Sequence, residues 1–87
     1  PDFRTRHGLD APSLVELFGW REEQFLARTE GSAIRRIGYE RWLRNVAVAL
    51  GNAPATPEVV AALAARIDDP SALVREHVRW AMRAQRR

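Results

Sequence analysis

The sequence predicts an all-α fold. Apolar residues recur near a 3.6-residue period in several segments, and each segment is bounded by cap residues or glycine and proline breaks. No alternating strand pattern with hairpin turns occurs. The 87 residues make one domain, enough for one modest core and too few for a second.

Residues 1–10, PDFRTRHGLD, show no sustained period and read as an extended lead-in with a turn near Gly8. The helical domain spans 11–87. Asp10 is placed to cap a first helix, with Pro12 in its first turn and an inward stripe of Leu14, Val15, Leu17 and Phe18 ending near Gly19. A second short helix is expected in REEQFLART, with Phe25 and Leu26 inward, Glu22 and Glu23 near its start and Arg28 near its end, as the macrodipole favours. These two helices form a short hairpin over 11–29.

Ser32 is the expected N-cap of a long third helix, with Ile34, Ile37, Trp42, Leu43, Val46, Ala47 and Leu50 on one side. Gly38 lies inside it, to permit a close helix contact or the approach of another backbone. Gly51-Asn52 is expected to end it in a left-handed C-cap. Thr56-Pro57-Glu58 opens a fourth helix with Val59, Val60, Leu63, Ala64 and Ile67 inward. Asp68-Asp69-Pro70-Ser71 stops the chain and restarts it. A fifth helix runs from about Ala72 to Arg83, with Val74, Val78, Ala81 and Met82 inward.

Composition removes several chemistries. Without cysteine there is no disulfide framework, no thiolate metal site and no cysteine nucleophile, which suits a cytoplasmic protein. No apolar run approaches the ~20 residues a membrane span needs. All 14 basic residues are arginine and the net charge is +3. A G+C-rich genome gives such a bias, and so does anion recognition, because a guanidinium grips phosphate with two donors at once. Ser13, Ser32 and Ser71 read as caps, and no serine, histidine and aspartate stand in a catalytic order. His7 reads as structural or solvated. His77 reads as half-buried and bonded to a backbone or acid partner. Asp68-Asp69 and Glu22-Glu23 read as cap and dipole residues. No catalytic, cofactor or metal residue is assigned.

One internal repeat stands out. Leu43-Arg44-Asn45-Val46-Ala47-Val48-Ala49-Leu50 overlays Val74-Arg75-Glu76-His77-Val78-Arg79-Trp80-Ala81 at an offset of 31 residues. That spacing suits a short helical solenoid unit. DDPSALVREHVRWAM is similar to the second half of a HEAT-type repeat. The expected architecture is therefore about five helices in right-handed stacked hairpins, with HEAT-like repeats over 32–85.

A more specific likeness covers nearly the whole chain. Arg6-His7-Gly8-Leu9, Glu30-Gly31-Ser32, Arg36, Trp42-Leu43-Arg44-Asn45 and Leu50-Gly51-Asn52 resemble the C-terminal region of epoxyqueuosine reductases. These are cobalamin-dependent iron–sulfur enzymes acting on the last step of queuosine formation in tRNA. The resemblance implies a detached C-terminal module, in keeping with a first residue that is proline. It implies cobalamin and 4Fe–4S clusters in an upstream portion and none in this chain, which lacks the cysteines and cannot reduce a substrate alone. The partners it implies are tRNA, gripped at the anticodon stem, and the N-terminal cofactor domains of the same protein, in a monomer.

The candidate nucleic-acid contacts are Arg35, Arg36, Arg41, Arg44 and Asn45 on the third helix and Arg75, Arg79 and Arg83 on the fifth. The last three lie at i, i+4 and i+8, one exposed stripe. Arg44 and Arg75 hold matching repeat positions, facing phosphate or bracing adjacent helices through acid partners. Asn45 donates to a phosphate or bonds the inter-helix turn. Trp42 is expected in the core, and Trp80 partly exposed beside the stripe, in a helix groove or stacked on a base. Two other readings stand beside RNA binding. One is a helical-repeat protein–protein scaffold. The other is a truncated domain whose Phe3, Leu9 and Trp20 dock on its own upstream portion.

Overall fold

The structure is a computed structural model, and it describes residues 11–86. The elements are α1 (Ala11–Phe18), α2 (Glu22–Arg28), a 3₁₀ turn (Ala33–Ile37), α3 (Tyr39–Gly51), α4 (Pro57–Ala64) and α5 (Ala72–Gln85). No strand occurs among the described residues, so the fold is all-α. The expected cap Asp10 lies outside them, as do His7, Phe3 and Leu9.

Local chemistry sets most boundaries. The Thr56 hydroxyl accepts from Val59 N–H at 3.2 Å, with Pro57 in the first turn of α4. The Ser71 hydroxyl accepts from Val74 N–H at 3.2 Å and opens α5. Each bond satisfies one of the four donors a helix N-terminus leaves open. At α2 the Gln24 amide oxygen accepts from Arg21 N–H at 2.9 Å. The buried Thr29 hydroxyl closes that helix by donating to Phe25 C=O at 2.7 Å.

The third helix departs from expectation. It is not one helix from Ser32. A 3₁₀ turn capped by Ser32 ends at Gly38, and α3 starts afresh at Tyr39. Gly38 has φ +85° and ψ 159°, a conformation open to glycine and strained for other residues. A Cβ there would meet nothing within 4 Å, so its role is torsional and not the close approach anticipated. At the other end Gly51 is inside the helix. Asn52, at φ −97°, is right-handed, so the left-handed cap is absent.

Gly51 is needed for space. A Cβ on it would lie 2.6 Å from Trp80 Cζ3 and 3.0 Å from Ala81 Cα. This close approach lets α3 and α5 form the most extensive helix pair of the fold. The two run in the same direction. Near their starts the Ser71 hydroxyl donates to the Glu40 carboxylate. At their ends Gln85 Nε2 donates to Leu50 C=O at 2.7 Å and Ala53 C=O at 2.8 Å, capping α3 from outside. α1 packs on α3 and α4, α2 on α3, and α4 joins α1 to α5.

The core comprises Leu14, Phe18, Phe25, Trp42, Leu43, Val46, Ala47, Leu50, Val59, Leu63, Val74, Val78 and Ala81. Met82 is half-buried against it. Several residues expected inward are not. Leu26 is 38% exposed, Val60 41% and Ile67 37%, and Ala64 is exposed too. α4 is apolar around most of its circumference, so its sequence pattern does not pick the buried side. Packing against α1 and α5 selects Val59 and Leu63.

Candidate nucleic-acid interface

A hydrogen-bonded junction ties together the helices that carry the candidate arginines. Its centre is Arg66, just past α4. Arg66 Nε donates to Phe18 C=O at 2.6 Å, and one terminal nitrogen donates to Trp20 C=O at 2.8 Å and Tyr39 Oη at 3.0 Å. The other terminal nitrogen pairs with Asp69 Oδ1 at 2.9 Å. The guanidinium also lies over the rings of Phe18 and Tyr39, at 5.4 and 6.0 Å. The Tyr39 hydroxyl donates to Trp20 C=O. One side chain thus ties the end of α1, the start of α3 and the turn before α5. Asp69 completes the turn by accepting from Ser71 N–H at 3.0 Å.

Beside the junction lies an aromatic stack. The Trp20 and Trp42 rings are 5.4 Å apart at 11°, and Arg28 covers the Trp20 ring at 5.5 Å. Phe25 packs at 5.2 Å from Trp42 and 5.7 Å from Tyr39. Trp42 is buried, as its helical register predicts. Trp20, a docking candidate in one sequence reading, is half-buried beneath Arg28.

The predicted contact residues fall into two groups. Arg35, Arg36, Arg41, Arg79 and Arg83 are exposed, and none is ion-paired among the described residues. Arg35 and Arg36 line an open hollow of about 600 Å³ with Gly31, Ser32 and Ala33. Arg44, Asn45 and Arg75 are half-buried and engaged. Arg44 Nε donates to Asn45 Oδ1 at 2.9 Å. Arg75 Nη1 donates to Asp69 C=O at 2.7 Å and Pro70 C=O at 3.1 Å. Arg75 therefore braces its turn through main-chain carbonyls and not through a carboxylate.

On the α5 side, Val48, Glu76, His77, Trp80 and Arg83 line a second hollow of about 350 Å³. His77 is half-buried with Nδ1 2.9 Å from Leu73 C=O, the backbone partner its position suggested. Trp80 is half-buried.

Exposed, unpaired guanidinium groups offer five N–H donors each and a fixed charge, the chemistry of phosphate recognition. The residues present do not fit an iron–sulfur cluster. The chain has no cysteine. No group of three His, Cys, Asp or Glu that could hold a metal ion occurs among the described residues. No described helix is long and apolar enough to cross a membrane.

The chain matches the C-terminal part of proteins named epoxyqueuosine reductase. It is 66% identical to the one from Pseudomonas aeruginosa over 82 residues, which cover 94% of this chain and 23% of that protein. The Burkholderia pseudomallei protein is 64% identical over 95 residues, covering 95% of this chain and 23% of the relative. The Escherichia coli protein is 56% identical over 84 residues, covering 97% and 22%. The chain thus spans about a quarter of the length of these curated relatives. No family profile matches it, and no solved structure does.

Proposed function

We propose that this chain, which matches the C-terminal part of epoxyqueuosine reductases along nearly all its length, is the tRNA-gripping module of such an enzyme. It holds the anticodon stem so that the modified base reaches the cofactor-bearing part of the parent protein. The setting is queuosine biosynthesis in the cytoplasm, and the reduction belongs to the parent oxidoreductase. Cobalamin and 4Fe–4S clusters sit on that upstream part, as the resemblance implies, and this chain has no thiolate to ligate a cluster.

The supporting observation is the set of exposed, unpaired arginines held on a tightly braced scaffold. A salt-bridged surface would bring its charge already neutralised; this one leaves Arg36, Arg41, Arg79 and Arg83 available to a polyanion. The parallel α3–α5 pair, offset by 31 residues, also supports the HEAT-like reading, in which equivalent helices stack side by side. Arg44 and Arg75 act mainly as braces within it.

A scaffold reading retains one observation in its favour. Val60, Ala61 and Ala64 on α4, with Ile67 in the turn after it, leave an apolar outer side that suits a protein neighbour. In the tRNA reading that neighbour is the parent protein's own N-terminal portion.

The test is a titration with tRNA carrying the queuosine precursor at several salt concentrations. Log affinity is expected to fall with log salt at about 0.7–0.9 per phosphate neutralised. Arg79→Ala is expected to lower the slope by about 1 without changing the melting temperature. Absence of binding at low salt would remove RNA recognition and leave the scaffold.

A further inference from the structure

The hollow between α3 and α5 has chemistry that a bare phosphate does not use. At about 350 Å³ it has the size of a small-ligand site. One side is the half-buried Trp80 indole, held in place by its contact with Gly51. His77 adds a polar ring edge: a carbonyl only accepts, so Nδ1 donates to Leu73 C=O, and Nε2 is the ring nitrogen left for a ligand. Glu76 contributes an exposed carboxylate with no partner among the described residues. Arg83, also unpaired, is the one arginine lining the hollow among the described residues.

An aromatic face, a carboxylate and a guanidinium at the rim define a ligand. It must be planar, must present N–H donors, and must carry an anion beside them. A nucleotide with an unpaired base meets all three demands. Among the bases, guanine presents two adjacent donors on one edge, N1–H and N2–H, spaced to meet both oxygens of a carboxylate. Adenine and cytosine set an acceptor nitrogen beside their amino group, and uracil flanks its single N–H with two carbonyls. Against a carboxylate those acceptors are repelled.

We infer that the Trp80 hollow is a slot for an unpaired guanine, stacked on Trp80, with its Watson–Crick edge on Glu76 and its phosphate on Arg83. The inference rests on the RNA-binding reading and adds base selectivity to it.

The experiment compares single-stranded RNA pentamers, a uridine run with guanine, inosine, adenine or cytosine at the centre, by fluorescence anisotropy at low salt. Guanine is expected to bind about tenfold tighter than adenine, with inosine, which lacks the N2 amino group, in between. Glu76→Gln replaces one acceptor oxygen by a donor, and the guanine preference is expected to collapse. Trp80→Leu is expected to weaken every pentamer about tenfold through lost stacking. Because Glu76 is exposed and unpaired, its variant reports on the slot even where the Trp80 variant disturbs packing. Equal binding of all pentamers, unaffected by Glu76→Gln, would overturn the slot while leaving phosphate docking intact. Absence of binding by any pentamer and by tRNA would overturn both.

Discussion

Replacing Arg66 with methionine tests the junction. The substitution keeps most of the aliphatic stem and removes every donor. It strips a partner from Phe18 C=O, Trp20 C=O, Tyr39 Oη and Asp69, previously at 2.6, 2.8, 3.0 and 2.9 Å. The side chain is only 18% exposed, so water replaces these partners incompletely. Hydrogen bonds to a charged donor contribute about 1.5–3 kcal/mol each, but bonds sharing one guanidinium do not add. Trp20 C=O also keeps the Tyr39 hydroxyl. A net loss of about 2–4 kcal/mol follows, within the large-effect class reserved for broken buried networks. For a domain of this size that lowers the melting temperature by roughly 10–25 °C. Urea unfolding followed by far-ultraviolet circular dichroism measures it. Asp69→Asn completes a double-mutant cycle, and a coupling of about 1 kcal/mol or more is expected for the paired groups. Arg66→Lys should recover only a minor part, because an ammonium cannot reach partners on three elements in one plane. A loss below about 1 kcal/mol for Arg66→Met would refute the idea that this side chain ties α1, α3 and the α5 turn together.

Two glycines predict opposite kinds of failure. Gly51→Ala drives a Cβ against Trp80 and the Ala81 backbone, so overpacking of about 1–3 kcal/mol should outweigh the helix-propensity gain, and Trp80→Leu in the same chain should relieve much of it. Calorimetry of the single and double variants checks both. Gly38→Ala has open space but φ +85°, so its cost of about 1–3 kcal/mol is torsional, and no neighbouring truncation should rescue it.

What could be read from the sequence followed the range of each interaction. Ser32, Thr56 and Ser71 were legible as caps because a cap reaches only two or three residues along the chain. Trp42 and Val46 were legible through the period of α3. That same period runs unbroken through Ile34 and Ile37, which hid the torsional break at Gly38. Gly51 resembles a cap in any local reading, and only the position of Trp80 shows that it is a contact. Arg66 gave no signal at all. Two of its acceptors are main-chain carbonyls 48 and 46 residues away, which no spacing rule reaches. At the candidate interface helix register accounts for the exposed Arg79 and Arg83 but not for Arg75, which the same register placed in an exposed stripe and which is half-buried against the carbonyls of its own turn. The hollow does not, because it needs Val48 of one helix beside Trp80 of another.

The parallel course of α3 and α5 has a consequence for the order in which the chain folds. Antiparallel neighbours zip from a short turn, whereas parallel ones must wait for an intervening helix to carry the chain back. Here α4 makes that return, so the largest interface joins segments about 31 residues apart. The last carbonyls of α3 receive the Gln85 amide only when the far end of α5 has docked. α3, which contributes more of the core than any other helix, is therefore completed only when α5 docks, and the amide protons of the two helices should exchange with solvent together, in one opening step.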